Sequence, residues 1–449
     1  MSPIRRLEVS VNQQTKGLTV ESIAIPLSLT LELQPEGADI GSLERAVSAG
    51  LADVARQLWA ELISTLERSL VVGRGHVGCG GIVKANGRAA RRIVTLAGEV
   101  GLSRRRYRCG ACGAEIVPLD ELLGLAPRAQ HTLGVRERAL WLVTELSYAK
   151  AARTLDELRA IGVSHGQVHG WVQEEGARIE AGVAARTEAL LGAHPERTSS
   201  GAMPGDVWVS ADGTMVNDRH SGTHMEVKLG LVFTGTERTG KDRHRLLDRH
   251  LVGATGSWTT FAERFTAACA AMGVYEAERI LFVSDGAAAI RWIRERSFPE
   301  AIELLDWYHL TEQLRFGIGR QHEAVLSTAL GAAGPGDVEA LLAILRSHAR
   351  ALEHDDPDQA LRCRGVIGYV EGNRSAIGNY RIVPLASSGP MEKGVDITIA
   401  RRFKSRGMSW FRRGVSHLLH LKLLRLNGGW GRYWAARLTG ARRSWPAAP

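Results

Sequence analysis

The sequence predicts an α/β chain in which a mixed sheet carries helices on its faces, preceded by a small cysteine-bearing module and a helical region. Three observations predict it. Short apolar runs at 207–210, 227–233, 280–284 and 302–305 read as strands, and helical segments such as 260–272 separate the later ones. His76-Val-Gly-Cys79 and Cys109-Gly-Ala-Cys112 carry metal-ligand spacing. Between about 131 and 185 comes a helical stretch, in which Ala139, Leu142, Val143 and Leu146 keep helical spacing.

The bulk numbers bound the partners. With 449 residues, the chain has length for two to four domains; 44% apolar and 23% charged residues are ordinary globular values. A formal charge of +9 favours a polyanionic partner without naming one. The start lacks the apolar stretch of a secretory signal, and no apolar run is long enough to span a bilayer. Five cysteines, three of them close in sequence, do not make a disulfide framework, so a cytoplasmic protein with reduced thiols and no membrane partner is expected.

Residues 1–73 form an amino-terminal arm and an amphipathic helix. Leu18, Val20, Ile23 and Ile25 alternate weakly, which fits short strands or a loose arm. Leu43, Val47, Leu51, Val54, Leu58, Leu62, Leu66 and Leu70 mark one face of a long helix over 41–70. That face either packs on the rest of the chain or, through the seven-residue spacing of Val47/Val54 and Leu51/Leu58, joins a second copy.

Residues 74–130 read as a zinc-ribbon-like module. Each ligand pair forms a turn aiming two donors at one point, and a hairpin with strands at 92–96 and 104–108 brings the pairs together. His76, Cys79, Cys109 and Cys112 would then hold a structural Zn²⁺; the alternative is a free thiol at Cys79 and a surface histidine at 76. Arg104, Arg105, Arg106 and Arg108 on one strand make the module a candidate for DNA contact.

Residues 131–195 suggest a helix-turn-helix. Ala139, Leu142, Val143 and Leu146 face one way on a first helix, and Gly162-Val-Ser164 reads as a turn and N-cap before a short second helix with Val168, Trp171 and Val172 inward. His165, Gln167 and His169 would face DNA, although plain helical domains contain similar pairs. A polar linker is expected at 194–206.

Three acids stand at or just past apolar runs: Asp212 before Gly213, Asp285 before Gly286, and Asp306 opening Asp306-Trp-Tyr-His309. Carboxylates at strand ends can converge on divalent ions, which prefer oxygen donors; plain turn chemistry is the alternative. From Ile397 to the end there is no Asp or Glu but twelve Lys or Arg, more than the whole net charge. Arg401, Arg402, Lys404, Arg406, Arg412 and Arg413 lead this tail as candidate phosphate contacts. Trp410, Phe411, Trp430 and Trp434 interleave with them, as stacking platforms or as core aromatics.

Trp208-Val-Ser-Ala-Asp212-Gly-Thr, Val283-Ser-Asp285-Gly-Ala and Leu304-Leu-Asp306-Trp-Tyr-His309 resemble successive motifs of bacterial insertion-sequence DDE transposases of the ISKra group. Ser388-Gly-Pro-Met-Glu392-Lys-Gly-Val-Asp396 resembles their glutamate motif, and Arg401-Arg-Phe-Lys-Ser-Arg-Gly-Met-Ser-Trp410 the basic segment after it. The Cys-x-x-Cys pair and Pro118-Leu-Asp120 are similar to the amino-terminal half of that family, so the resemblance runs from roughly 75 to 435. It implies a ribonuclease-H-like core at 206–310 and 386–449, interrupted by a helical insertion at 311–385. Asp212, Asp285 and Glu392 would be the catalytic acids, with Asp306 and His309, an Asp-x-x-His signature of Mutator-like transposases, in support. It further implies Mg²⁺ (or Mn²⁺) in a two-metal site, and recognition, hydrolysis and transesterification of double-stranded DNA at transposon ends and target. A homodimer or larger assembly near the nucleoid would act on that DNA. A nuclease of the same fold that does not join ends, and a non-catalytic DNA-binding regulator, are the competing expectations.

Overall fold

The computed structural model describes residues 39–70, 72–192, 203, 205–241, 243–383 and 387–440, together with the backbone of 6–9, 13–15, 18–20 and 23–26. Most of the expected linker at 194–206, and Arg442 and Arg443 of the tail, lie outside these residues. The chain divides into two compact units, 1–171 with 429–449 and 172–428.

The first unit begins with four short strands, β1 (Arg6–Val9), β2 (Gln13–Thr15), β3 (Leu18–Val20) and β4 (Ile23–Pro26), paired β1 with β4 and β2 with β3. Asp39 caps helix α1 (Ile40–Ser69), its carboxylate accepting from the Ser42 amide at 2.8 Å. The carboxyl-terminal half of α1 packs through Ile63 and Leu66, joined by Leu70, on Ile93, Val100, Leu102 and Leu119. Packing within the chain therefore claims that half of the apolar face. Leu51 and Trp59 stay exposed.

Strands β5 (Val83–Thr95) and β6 (Gly98–Cys109) form the expected hairpin, longer than the sequence suggested, and β7 (Glu115–Ile116) adds to the edge of β6. Helices α2 (Pro118–Leu123), α3 (Leu133–Val143) and α4 (Tyr148–Arg159) follow. Helix α5 begins at His165, where Ser164 Oγ accepts from the Gln167 amide at 3.1 Å, the N-cap foreseen in the sequence. Val168, Trp171 and Val172 are buried as expected. However, α5 runs to Gly192 over 28 residues, far longer than a short recognition helix. A run from 165 to 192 with no proline has nothing in its sequence to stop it.

The second unit holds strands β8 (Asp206–Asn217), β9 (His224–Phe233), β10 (Gly235–Gly240), β11 (Arg243–Leu247), β12 (His250–Ala254), β13 (Arg279–Ser284) and β14 (Ile302–Leu305). Five of them form one mixed sheet in the order β12-β9-β8-β13-β14. The first three are antiparallel, while β8, β13 and β14 run parallel. Helix α6 (Trp258–Met272) lies with α7 (Ala288–Ser297) over a core of Val207, Val209, Phe261, Phe265, Phe282 and Phe298.

After β14 the chain becomes helical: α8 (Trp307–Ile318), α9 (Glu323–Ala333), α10 (Val338–Ala351), α11 (Pro357–Gly372) and α12 (Arg374–Gly378). The stretch read from the sequence as 311–385 is thus largely helical, and the apolar faces of these helices share one core with Leu281, Val283 and Leu304 of the sheet. The chain returns through α13 (Gly389–Val395), a π-helical turn over Asp396–Ala400, α14 (Arg401–Phe403) and α15 (Arg412–Leu426). Helix α16 (Trp430–Gly440) belongs to the first unit. Among the described residues, no helix is long and apolar enough to cross a membrane.

Candidate functional site

The register of the sheet determines where the acids sit. Strand β13 pairs with β8 only as far as Val283 opposite Ser210, while β8 continues to Asn217 against β9. Asp212 therefore lies within β8, not at its end as the sequence suggested, but just where β8 loses its parallel neighbour. Asp285 follows the last residue of β13. In the sheet order β8 leads on to β9 on one side and β13 to β14 on the other, the kind of switch point at which open α/β sheets bind ligands.

The two aspartates share an electrostatic neighbourhood. Burial holds the Asp212 carboxyl above its ordinary value and the Asp285 charge adds to this, while the Gly213 amide, His309 and Lys404 oppose it. Asp285 is held by its backbone: its Oδ1 accepts from the Ala287 amide at 2.9 Å, and its carbonyl accepts from the Tyr369 hydroxyl at 3.0 Å. Gly286 adopts φ 84°, and a Cβ there would meet the Asn373 side chain at 3.0 Å. The Asp-Gly turn thus needs its glycine both for conformation and for close approach by α11.

Asp306 is fully buried and caps α8. It accepts from the His309 amide at 3.0 Å, from His309 Nδ1, and from the Ser388 amide at 2.7 Å. These bonds outweigh burial and hold its carboxyl below the usual range; the His309 ring, despite its own burial, is raised by the same carboxylate. Ser388 then donates from Oγ to Glu392 Oε1 at 3.2 Å. Asp306 thereby secures the start of α13, and the first turn of α13 presents Glu392. Pro390 falls in that first turn, where a missing N–H costs nothing.

Glu392 is exposed, and α13 packs against β8 and β9, with Gly394 against Leu251 and Leu229. Asp285 acts on Asp212 electrostatically, while Glu392 stands on the helix that packs against β8 and β9. Among the described residues, the one group of three or more potential ligands with donor atoms within 4.8 Å of one another is His76, Cys79, Cys109 and Cys112.

In that cluster His76 Nδ1 lies 3.2 Å from Cys79 Sγ and 3.3 Å from Cys112 Sγ, and Cys79 Sγ lies 3.5 Å from Cys109 Sγ. Donors at zinc bond lengths around a tetrahedral centre stand roughly 3.3–3.8 Å apart. The four can hold a structural metal ion such as zinc, with the ligand set read from the sequence. Two turns build it: the Gly80 amide donates to the His76 carbonyl at 2.7 Å and the Gly113 amide to that of Cys109 at 2.9 Å. A Cβ on Gly81 would fall 2.5 Å from Ala111 Cβ and 2.7 Å from Cys109 Sγ, so the turns close only over glycine. The amides of Cys112 and Ala111 outweigh burial and bring the Cys109 thiol down to about 6, in favour of the ligating thiolate.

The candidate DNA contacts sort unevenly. Arg104 pairs with Asp120, and Arg105 with Glu67 at 3.1 Å, so these two are engaged within the protein; Arg106 lies 3.5 Å from Glu115. His165 and His169 are exposed and Gln167 half-buried. Arg402 is buried with its guanidinium 4.9 Å from the Trp410 ring centroid, a packing contact and not the phosphate contact expected of it. Arg401 pairs with Asp396 at 2.7 Å and Lys404 donates to Thr214 Oγ1 beside Asp212. Arg412 donates to the Thr255 carbonyl at 2.6 Å, while Arg406 and Arg413 are exposed. Trp430 and Trp434 are core residues. Tyr369 and Asn373 were not foreseen, since nothing local in the sequence distinguishes them, and Ser388, though it opens the glutamate motif, was given no role of its own.

The chain is 23% identical over 351 residues to the UPF0236 protein in the vanSb 3′ region of Streptococcus gallolyticus, which covers 76% of this chain and 73% of that protein. A family model described as an uncharacterised protein family, UPF0236, matches residues 33–437. Matched over nearly all of its described length, the chain belongs to the UPF0236 family.

Proposed function

We propose that the protein is a DNA transposase with a ribonuclease-H-like core, related to the ISKra-group insertion-sequence enzymes, that cleaves transposon ends and joins them to a target. The observation that carries this reading is the placing of Asp212 and Asp285 side by side where β8 and β13 part. The sheet supports it too, since an antiparallel meander followed by two parallel strands suits a ribonuclease-H-like core.

Asp212, Asp285 and Glu392 would hold two Mg²⁺ ions, and the donor set fits hard cations: a half-buried carboxylate with a like charge beside it favours a cation between them. Bound there, the ions supply activation of the attacking oxygen and stabilisation of the leaving one. The chain's own residues orient the acids. Tyr369 and Asn373 brace the Asp285 turn, Asp306 fixes the start of α13 through Ser388, and Ser388 steers Glu392. Lys404, Arg406 and Arg413 lie on the segment after Glu392, placed to meet phosphates. A dimer or larger assembly would bring two ends together.

The test is incubation of the full chain with DNA carrying the element's ends, with and without Mg²⁺, including pre-cleaved ends with a free 3′-hydroxyl. Cleavage and joined product in wild type, both lost in Asp212→Asn, Asp285→Asn and Glu392→Gln while DNA binding persists, is the expected result. Cleavage without joining would replace the transposase by a nuclease. Unchanged activity in Asp212→Asn would overturn the catalytic assignment.

A further inference from the structure

Next to Glu392 on the chain is a small charge cluster that the proposed chemistry does not use. Four residues on, about 6 Å along a helix axis, stands Asp396. Its Oδ2 accepts from Lys393 Nζ at 3.0 Å and from Arg401 Nε and Nη2 at 3.1 and 2.7 Å. Lys393 lies three residues before Asp396, where helical side chains meet. Arg401 lies five after it, about 140° away round an α-helix. The π-helical turn over Asp396–Ala400 removes that separation. Its wider ring closes with the Arg401 amide donating to the Asp396 carbonyl, and the guanidinium comes down on the carboxylate.

The clasp is poorly matched. Three N–H donors converge on one oxygen, and the arginine fork, suited to two parallel acceptors, puts both its donors on the same atom. A phosphate, with two unesterified oxygens side by side, would give each arm of the fork its own acceptor. The pairs are also open to solvent: the Lys393, Arg401 and Asp396 side chains are 62%, 55% and 39% exposed. Ion pairs so exposed are weakly held and readily exchanged. Arg401 and Lys393 bring the Asp396 carboxyl down to about 2, so at neutral pH it leaves only when another anion replaces it. Position tells which anion. Asp396 is the last acidic residue of the chain, and twelve Lys or Arg follow it. On so open a surface a lone anion is held by these donors alone, whereas a phosphate within a strand is held also through its neighbours' contacts with that basic segment.

We propose that Lys393 and Arg401 form a binding site for one backbone phosphate of DNA beside Glu392, and that the Asp396 carboxylate fills this site in the free protein and yields it to the strand. The inference rests on the DNA partner proposed above. Asp396 is then a resident competitor: strands that make the remaining contacts displace it, and chance polyanions are held less well.

Fluorescence anisotropy of a labelled DNA duplex with the full chain, without divalent metal, tests this. Asp396→Asn tightens binding about threefold. Glu353→Gln, which frees Arg364 of a like exposed pair on α11, changes it less than about twofold. Arg401→Lys keeps the charge but loses the fork, and weakens binding about fivefold. Lysine footprinting by mass spectrometry shows Lys393 protected by the duplex. Thermal melts matching wild type show that the variants fold. An unmoved Asp396→Asn, equal tightening in Glu353→Gln, an Arg401→Lys that binds like wild type, or a Lys393 modified equally with and without DNA overturns the proposal. Any of these with DNA still bound and cleaved leaves the transposase reading standing. The expected shifts without Mg²⁺-dependent cleavage sink that reading and leave the site, and absence of DNA binding removes both.

Discussion

Replacing Asp306 by alanine tests the link between sheet and glutamate helix directly. The buried carboxylate accepts from the Ser388 amide at 2.7 Å, the His309 amide at 3.0 Å and the His309 ring. A hydrogen bond to a charged group contributes about 1.5–3 kcal/mol, and a lost N-cap costs about 1 kcal/mol. The bonds share one acceptor and do not add, so the expected loss is about 3–5 kcal/mol, as when one member of a buried pair is removed. Asp306→Asn keeps an acceptor oxygen for Ser388 and should cost about 1–2 kcal/mol. Urea unfolding reads both, and hydrogen exchange at the Ser388 amide reads the strap itself, losing protection in the alanine variant only. A loss below about 1 kcal/mol for Asp306→Ala, or an unchanged Ser388 amide, would refute the reasoning.

The same pair makes stability depend on pH with a definite sign. Asp306 sits below its unfolded value, so its contribution is present above about pH 4 and lost as pH falls through the lower folded value; Asp306→Asn should flatten that limb of the stability curve. His309 is raised, so its contribution is complete below about pH 6.5 and lost on rising through the folded value, and His309→Gln should abolish that limb. Purified wild type should carry one zinc per chain by elemental analysis, Cys109→Ser far less, and His76→Cys an amount close to wild type; equal metal in wild type and Cys109→Ser would sink the ribbon. At Gly176 a Cβ would fall 2.4 Å from His417 Cβ and 2.6 Å from its backbone, where α5 crosses α15. Gly176→Ala should therefore destabilise by about 1–3 kcal/mol in denaturation, despite alanine's better helix propensity; a stabilised variant would mean the helices do not meet there.

What the sequence made legible was whatever a short window can encode. Apolar runs at 227–233 and 280–284 grew into β9 and β13, Ser164 capped α5, and the ligand spacing around Cys79 and Cys109 led to donors close together. Strands β10 and β11 escaped because Gly235–Gly240 and Arg243–Leu247 are largely exposed and carry no alternating apolar signal. Asp212 seemed to end a strand because the apolar run stops there, yet the antiparallel ladder with β9 carries β8 five residues further. Arg104, Arg105 and Arg402 read as surface cations because their partners, Asp120, Glu67 and Trp410, are fixed by tertiary packing. The Ser388 bond to Asp306 spans 82 residues, a distance no local pattern reports.

The helices between Ile302–Leu305 and Gly389–Val395 could be mistaken for a detachable appendage. Leu310, Leu314, Leu341 and Val366 bury the same side of the sheet as Leu281, Val283 and Leu304, and Tyr380 reaches the Leu305 carbonyl at 2.7 Å. Excising them would strip the sheet of half its covering and leave Leu281 and Leu304 facing water. Lengthening the exposed turns between these helices, by contrast, adds only slowly growing chain entropy. Relatives of this chain are therefore free to differ in the size of those turns, but not to dispense with the helices that carry them.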